Sequence, residues 1–147
     1  MKLRNKKLNN KGFSLVELIV VVLIIAIIAV ALAPQVMKWV SKSKDSVDSN
    51  NIASIKSSVN TAIAAVGELP SAELTFYVTK EGISGSEADL KTYKDELAEI
   101  FNGEFSEPSK GGSFKVTVST TGAVTVEVNN DKTSESIVIK ANSSESK

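Results

Sequence analysis

Residues 13–33 read FSLVELIVVVLIIAIIAVALA, and this stretch decides what the rest of the chain has to do. Its twenty-one residues include two polar side chains, Ser14 and Glu17, and no glycine or proline. A helix of this length is roughly 30 Å long, which matches the hydrocarbon core of a bilayer. The stretch therefore predicts a helix that can cross a membrane.

The charges before this stretch set its expected orientation. Residues 1–12, MKLRNKKLNNKG, carry five lysines or arginines and no acidic residue. Positive charge beside a spanning helix favours the cytoplasmic side. We therefore expect a cytoplasmic N-terminus and a remainder that faces outward.

A second, amphipathic half of the same helix is predicted for residues 34–66. No glycine occurs from Phe13 to Val66, and Gly67 followed by Pro70 is the order expected where a helix ends. Apolar side chains recur at intervals that mostly suit one helix face. They are Val36, Val40, Val47, Ile52, Ile55, Val59, Ile63 and Val66.

Residues 67–147 are expected to form a small head domain. They contain 26 apolar residues among 81, a share below the roughly 45–50% of ordinary soluble domains. The head alone is therefore short of core residues. We expect it to complete its core on the apolar face of the helix.

Local patterns predict the elements of the head. Helical spacing indicates a short helix at about 87–102, with Ser86 as its N-cap and Gly103 as its stop. Alternation of apolar and polar residues predicts antiparallel strands at about 113–119, 123–129 and 136–140. Residues 68–85 receive no assignment, and Ala141–Lys147 is expected to be loose. The predicted fold class is α+β, a long N-terminal helix packed against a small antiparallel sheet.

Composition argues against several functions. The chain has no cysteine and no histidine, so thiol nucleophiles, disulfides, imidazole bases and the usual zinc ligands are missing. We expect no catalysis, no cofactor and no metal site. Residues 67–147 hold fourteen acidic residues against eight lysines, which disfavours nucleic-acid binding through the head. Asn129-Asn130-Asp131 could belong to a calcium loop, although an Asn-rich turn is favoured.

One motif carries most of the functional information. Lys11-Gly12-Phe13-Ser14-Leu15-Val16-Glu17-Leu18 follows a short basic leader and opens the apolar run. It resembles the prepilin signature of type IV pilins and related pseudopilins. The likeness covers roughly residues 1–40, and the predicted layout of helix and small sheet is similar to the family's fold. The lack of cysteine is closer to pilins of Gram-positive bacteria, clostridia especially.

The resemblance implies a role for particular residues. A prepilin peptidase is expected to cut between Gly12 and Phe13 on the cytoplasmic side, after which the new amine of Phe13 is methylated. Glycine before the bond leaves an uncrowded backbone for a protease. The family's matching glutamate is thought to pair with the terminal amine of a neighbouring subunit, which assigns subunit registration to Glu17. Pro34 resembles the family's proline and predicts a helix kink.

Two of these roles have a competing interpretation. A carboxylate inside a spanning helix costs about 2.5–3.5 kcal/mol and normally marks function, but Glu17 could also lie at headgroup level, four residues after Phe13. Many relatives carry a glycine where this chain has Ala26. A melted helical stretch between Ala26 and Pro34 is therefore a weaker expectation than a kink.

The expected function is that of a structural subunit of a type IV pilus. Its partners would be other pilin subunits in a homopolymer, the prepilin peptidase and methyltransferase, a membrane assembly platform, and the lipid bilayer before assembly. The precursor would sit in the cell membrane, and the filament outside the cell would serve adhesion, motility or biofilm formation. The main alternative is a pseudopilin of a type II secretion or DNA-uptake system.

Two further alternatives are disfavoured by residues in the motif. A secretory signal peptide could be cut after Ala31-Leu32-Ala33. Its apolar segment would be unusually long, Glu17 would interrupt its start, and Pro34 would obstruct hydrolysis. An uncleaved, membrane-anchored binding module would have no use for Gly12-Phe13 or for Glu17.

Overall fold

The first helix is the longest element of the protein. The computed structural model describes residues 12–130 and 137–140, and α1 spans Leu15–Val66 without interruption. It ends at Gly67, whose φ of 76° is left-handed and whose N–H donates to the carbonyl of Ile63 at 3.0 Å. A left-handed glycine directly after the last helical residue is a common helix stop. The long N-terminal helix predicted from the sequence is confirmed.

The chain divides into two compact units, Met1–Ser41 and Lys42–Lys147. In the described part of the first unit, residues 12–41, every residue is exposed. The secondary structure of this part is the N-terminal portion of α1. The second unit holds the rest of α1, the sheet and two short helices. The hydrophobic core lies within this second unit.

A five-stranded antiparallel sheet forms the centre of the second unit. Its spatial order is β4-β3-β1-β2-β5, and every pair of neighbours is antiparallel. The strands are β1 (Leu74–Thr79), β2 (Gly82–Gly85), β3 (Ser113–Val118), β4 (Val124–Asn129) and β5 (Ile137–Lys140). β3 and β4 lie where the alternating pattern predicts a hairpin. β5 covers most of the third predicted strand, whose first residue, Ser136, lies outside the described residues, as does Ala141–Lys147.

The hairpin of β1 and β2 has no counterpart among the sequence predictions. β1 alternates buried and half-buried residues, but β2 is only four residues long and contains one large apolar side chain, Ile83. Gly82 has a φ of 137°, and a Cβ there would collide with the backbone carbonyl of Ile139. Glycine is therefore required where β2 meets β5.

The core of the second unit lies between α1 and one face of the sheet. Ile55, Val59 and Ala62 of α1 are buried, with Ile52, Ile63 and Val66 packed beside them. From the sheet come Phe76, Val78, Ile83, Phe114, Val116 and Val118, which are fully buried. The head thus completes its core on the helix, as its low apolar content predicts.

The predicted apolar face of α1 is partly wrong. Val36, Val40 and Val47 are each about half exposed. The buried stripe instead runs Asp48, Ile52, Ile55, Val59, Ala62, at steps of four, three, four and three residues. Those steps follow the helical repeat, whereas the step from Val47 to Ile52 does not. Asp48 therefore occupies the place in the buried stripe that was predicted for Val47.

The single short helix predicted at 87–102 is two helices in the structure. They are α2 (Glu87–Leu90) and α3 (Lys94–Phe101). Between them Tyr93 donates its N–H to the carbonyl of Leu90 at 2.9 Å, which is the tighter i→i+3 bond of a 3₁₀ turn. Ser86 precedes α2 without a side-chain cap, and Asn102, with φ of 46°, adopts the left-handed conformation before Gly103.

Candidate processing and assembly site

The candidate cleavage site lies just before α1. Gly12, Phe13 and Ser14 are exposed and have no regular secondary structure. A Cβ placed on Gly12 would meet no atom within 4 Å, and the φ of Gly12 is not left-handed. Neither space nor backbone conformation within the chain therefore calls for glycine at this position.

Glu17 has a hydrogen-bond partner within its own chain. Its Oε2 accepts the backbone N–H of Ser14 at 2.9 Å, while the N–H of Leu18 donates to the Ser14 carbonyl at 3.2 Å. Ser14 is thus the N-cap of α1, and Glu17 is the third helical residue, so this bond is the glutamate half of a capping box. The Ser-x-x-Glu spacing could have shown this from the sequence alone. A negative charge here also offsets the positive end of the helix dipole.

The first unit exposes a long apolar surface. Between Leu15 and Leu32 the exposed fraction of each large apolar side chain ranges from 47% at Val20 to 77% at Val30, and Phe13 is 88% exposed. α1 is long and apolar enough to cross a membrane. Contiguous apolar surface of this extent marks a membrane or protein contact. Membrane insertion of this segment is therefore indicated.

Pro34 lies inside α1, and helical structure continues on both sides of it. Proline has no N–H for the carbonyl of Val30, so one hydrogen bond of the helix is missing. The residues from Ala26 to Pro34 are helical. The kink assigned to Pro34 stays a prediction.

The head contains a polar cleft of about 270 Å³ near the end of α1. Glu68, Glu73, Asp89 and Tyr93 are among its lining residues. The Tyr93 hydroxyl donates to the backbone carbonyl of Glu68 at 2.9 Å. Burial of the phenol, and after it the negative charge of Glu68, raises the pKa of Tyr93. A neutral phenol in a hydrogen bond to a carbonyl stabilises this junction and needs no ligand.

A metal site was not expected, and the weighed calcium loop falls at the margin of the described chain. Asn129 ends β4, and Asp131 lies outside the described residues. Within residues 12–130 and 137–140, no group of three or more acidic side chains is placed to hold a metal ion.

Comparison with protein families gives a match near the N-terminus. Residues 7–33 match the model described as the prokaryotic N-terminal methylation motif. Searches of curated proteins and of solved structures give no significant match. The motif is that of type IV prepilin-like proteins, which are structural proteins, and it includes Gly12, Phe13 and Glu17. The chain therefore carries a type IV prepilin-like methylation motif at the start of a long apolar helix, in a protein whose α+β fold is type IV pilin-like.

Proposed function

We propose that this protein is the structural subunit of a type IV pilus, made as a membrane precursor and polymerised through α1 into an extracellular filament. The carrying observation is that a methylation motif covers the start of a helix whose large apolar side chains are exposed from Leu15 to Leu32. Such a surface requires lipid or other subunits around it. The acidic head would then form the outer part of the filament.

The first proposed step is hydrolysis of the Gly12–Phe13 peptide bond by a prepilin peptidase. The bond lies in exposed chain just before the helix, where a protease can bind an extended backbone. The fold does not require glycine at residue 12. We therefore attribute this glycine to recognition by the peptidase. The new amine of Phe13 is then methylated.

The second proposed step is an exchange of partners by Glu17. In the isolated chain its carboxylate accepts one backbone N–H, that of Ser14. Cleavage creates an ammonium on Phe13, and in the filament Glu17 would pair with the ammonium of a neighbouring subunit. In a low-dielectric helical bundle such a pair is much stronger than at a surface. It would distinguish one axial offset among many apolar alternatives, and a kink at Pro34 would adapt α1 to that packing.

Mass spectrometry of sheared surface fibres tests the proposal. We expect the mature chain to lack residues 1–12 and to begin with a methylated Phe13. A Gly12→Val variant should accumulate at full length in the membrane. Surface material that begins at Met1 or at Pro34 would contradict the proposal.

Electron microscopy of the same cells separates a pilus from a pseudopilus. A pilus subunit should form long surface fibres that disappear when its gene is deleted. A pseudopilin of a secretion or DNA-uptake system would be processed in the same way but would form no long fibres. Adhesion and motility assays on the deletion strain would then assign the filament's use.

A further inference from the structure

Asp48 is an anomaly in the buried stripe of α1. The stripe continues toward the N-terminus from Ala62, Val59, Ile55 and Ile52 to a position where an apolar residue is expected, and Asp48 stands there. It is 8% exposed and is the one buried carboxylate among the described residues. Burying a charge is costly unless hydrogen bonds compensate it.

The compensating bonds come from the end of the segment that connects α3 to β3. We name its residues 109–112 the strap; they follow Pro108, which is fully buried and stays with the core. Ser109 gives Asp48 Oδ1 two hydrogen bonds, from its backbone N–H at 2.7 Å and from its hydroxyl at 2.8 Å. The same hydroxyl lies 3.3 Å from the carbonyl of Lys44. Beside it, Lys110 forms an exposed ion pair with Asp45 at 3.1 Å. Polar bonds thus join the strap to α1 one turn before the apolar core begins.

The surroundings of Asp48 leave room for water. A cleft of about 290 Å³ is lined by Asp48, Ile52 and Lys110, and by Val128 at the end of β4. Val128 is 38% exposed, so the core is open at this end. Water in the cleft can bond the Asp48 carboxylate and the Ser109 donors after they separate, which lowers the cost of opening.

We propose that Asp48 is a releasable latch, and that the strap opens from α1 as a unit while the sheet and the core from Ile55 onward stay folded. Local opening of this kind occurs where polar contacts replace buried apolar ones. Release frees α1 of its polar bonds to the strap from Lys44 to Asp48, which is about one turn of helix. The proposal does not depend on the pilus assignment.

Hydrogen–deuterium exchange of the full-length protein in detergent micelles tests the latch. In Asp48→Ala the Ser109 N–H and hydroxyl lose a charged acceptor, so exchange of peptides from the strap should rise by about tenfold or more. Peptides from β1 and β3 should change by less than about twofold. Asp45→Asn is the matched control, because it removes only the exposed ion pair and should leave strap exchange within about twofold of wild type.

Two milder variants keep the test decisive if Asp48→Ala fails to fold. Asp48→Asn retains an acceptor oxygen without the charge, and Ser109→Ala removes the contacts of the hydroxyl but keeps the backbone N–H bond. Each should raise strap exchange by less than Asp48→Ala and leave the sheet unchanged. A uniform rise across strap and sheet would show that Asp48 belongs to the global core, and no rise in the strap would show that its bonds are not limiting. Either result would overturn the proposal.

Discussion

Glu17 accepts a hydrogen bond at the start of its own helix, and that bond does not require the full negative charge of the carboxylate. A neutral amide could accept the N–H of Ser14 as the carboxylate does at 2.9 Å, but it could not pair with an ammonium. Capping and the proposed subunit registration would therefore make different demands on this one side chain. Substitution can separate them.

We predict that Glu17→Ala and Glu17→Gln will both be cleaved and will stay in the membrane, yet assemble poorly. Cleavage should survive because the scissile bond is five residues away, and membrane residence because a carboxylate in a span costs about 2.5–3.5 kcal/mol that both changes remove. Filament yield in a strain lacking the wild-type subunit is the measurement. If Glu17→Gln assembles normally and Glu17→Ala does not, the carboxylate serves as a cap. If both assemble normally, its side chain has no assembly role.

Tyr93 should make the free energy of unfolding of the head decrease as the pH becomes alkaline. Its pKa is raised in the folded state by burial and then by Glu68, whereas an unfolded tyrosine ionises near pH 10. Below about pH 10 the phenol is neutral in both states and its contribution to stability is complete. As the pH rises above that value the unfolded state ionises first, so the contribution is lost.

Tyr93→Phe tests this sign. At pH 8 the variant should be less stable than wild type by about 0.5–1.5 kcal/mol, since it lacks the hydrogen bond to the Glu68 carbonyl. Between pH 8 and pH 11 the gap in free energy of unfolding should narrow, because phenylalanine does not titrate. Thermal unfolding of both proteins at the two pH values is the measurement. A gap that stays constant would contradict the prediction.

At the scale of elements, α1 presents apolar residues to two different surroundings. Ile55 is 3% exposed in the core, while Val47, two turns earlier, is 48% exposed. Helical periodicity alone does not separate these two residues, because Val47 lies next to the helix face on which Asp48 is buried. The pairing of helix and sheet decides between them.

We predict that Ile55→Ala lowers the free energy of unfolding of the head by about 2–5 kcal/mol, as for other large-to-small changes in a core. Val47→Ala, the matched control on the same helix, should stay within about 0.5 kcal/mol of wild type. Denaturant unfolding of the full-length variants in detergent would give both values. Similar losses for the two variants would mean that the buried stripe includes Val47.

At the scale of the whole molecule, the elements that follow from a local sequence pattern were predictable. The apolar stretch and Gly67 indicate α1, and the alternation around Phe114 and Val126 indicates a hairpin. β2 was not predictable, because the sequence Gly-Ile-Ser-Gly becomes a strand through its neighbours β1 and β5. The candidate cleavage site was proposed from a contiguous motif, whereas the bonds of Asp48 to Ser109 join residues 61 positions apart.

The dependence of the head on α1 gives a prediction about fragments. A fragment of residues 34–147 should be soluble and melt cooperatively, whereas residues 67–147 should show no cooperative transition. The shorter fragment lacks Ile55 and Val59, each of which stabilises the fold by about 1.5–3 kcal/mol on burial, out of the roughly 5–15 kcal/mol typical of a whole domain. Calorimetry of both fragments is the measurement. Cooperative melting of residues 67–147 would refute the dependence.

For a chain exported as proposed above, the position of β5 bears on the order in which the head can fold. β5 pairs with β2, and Gly82 faces Lys140, 58 positions later. Until residue 140 has been translocated, the backbone N–H and C=O groups along that side of β2 have no strand to bond. Such unpaired strands readily bond to other chains. Subunits that emerged together would therefore be exposed to mispairing until β5 arrived, so shortening the chain before Ile137 should promote aggregation during export.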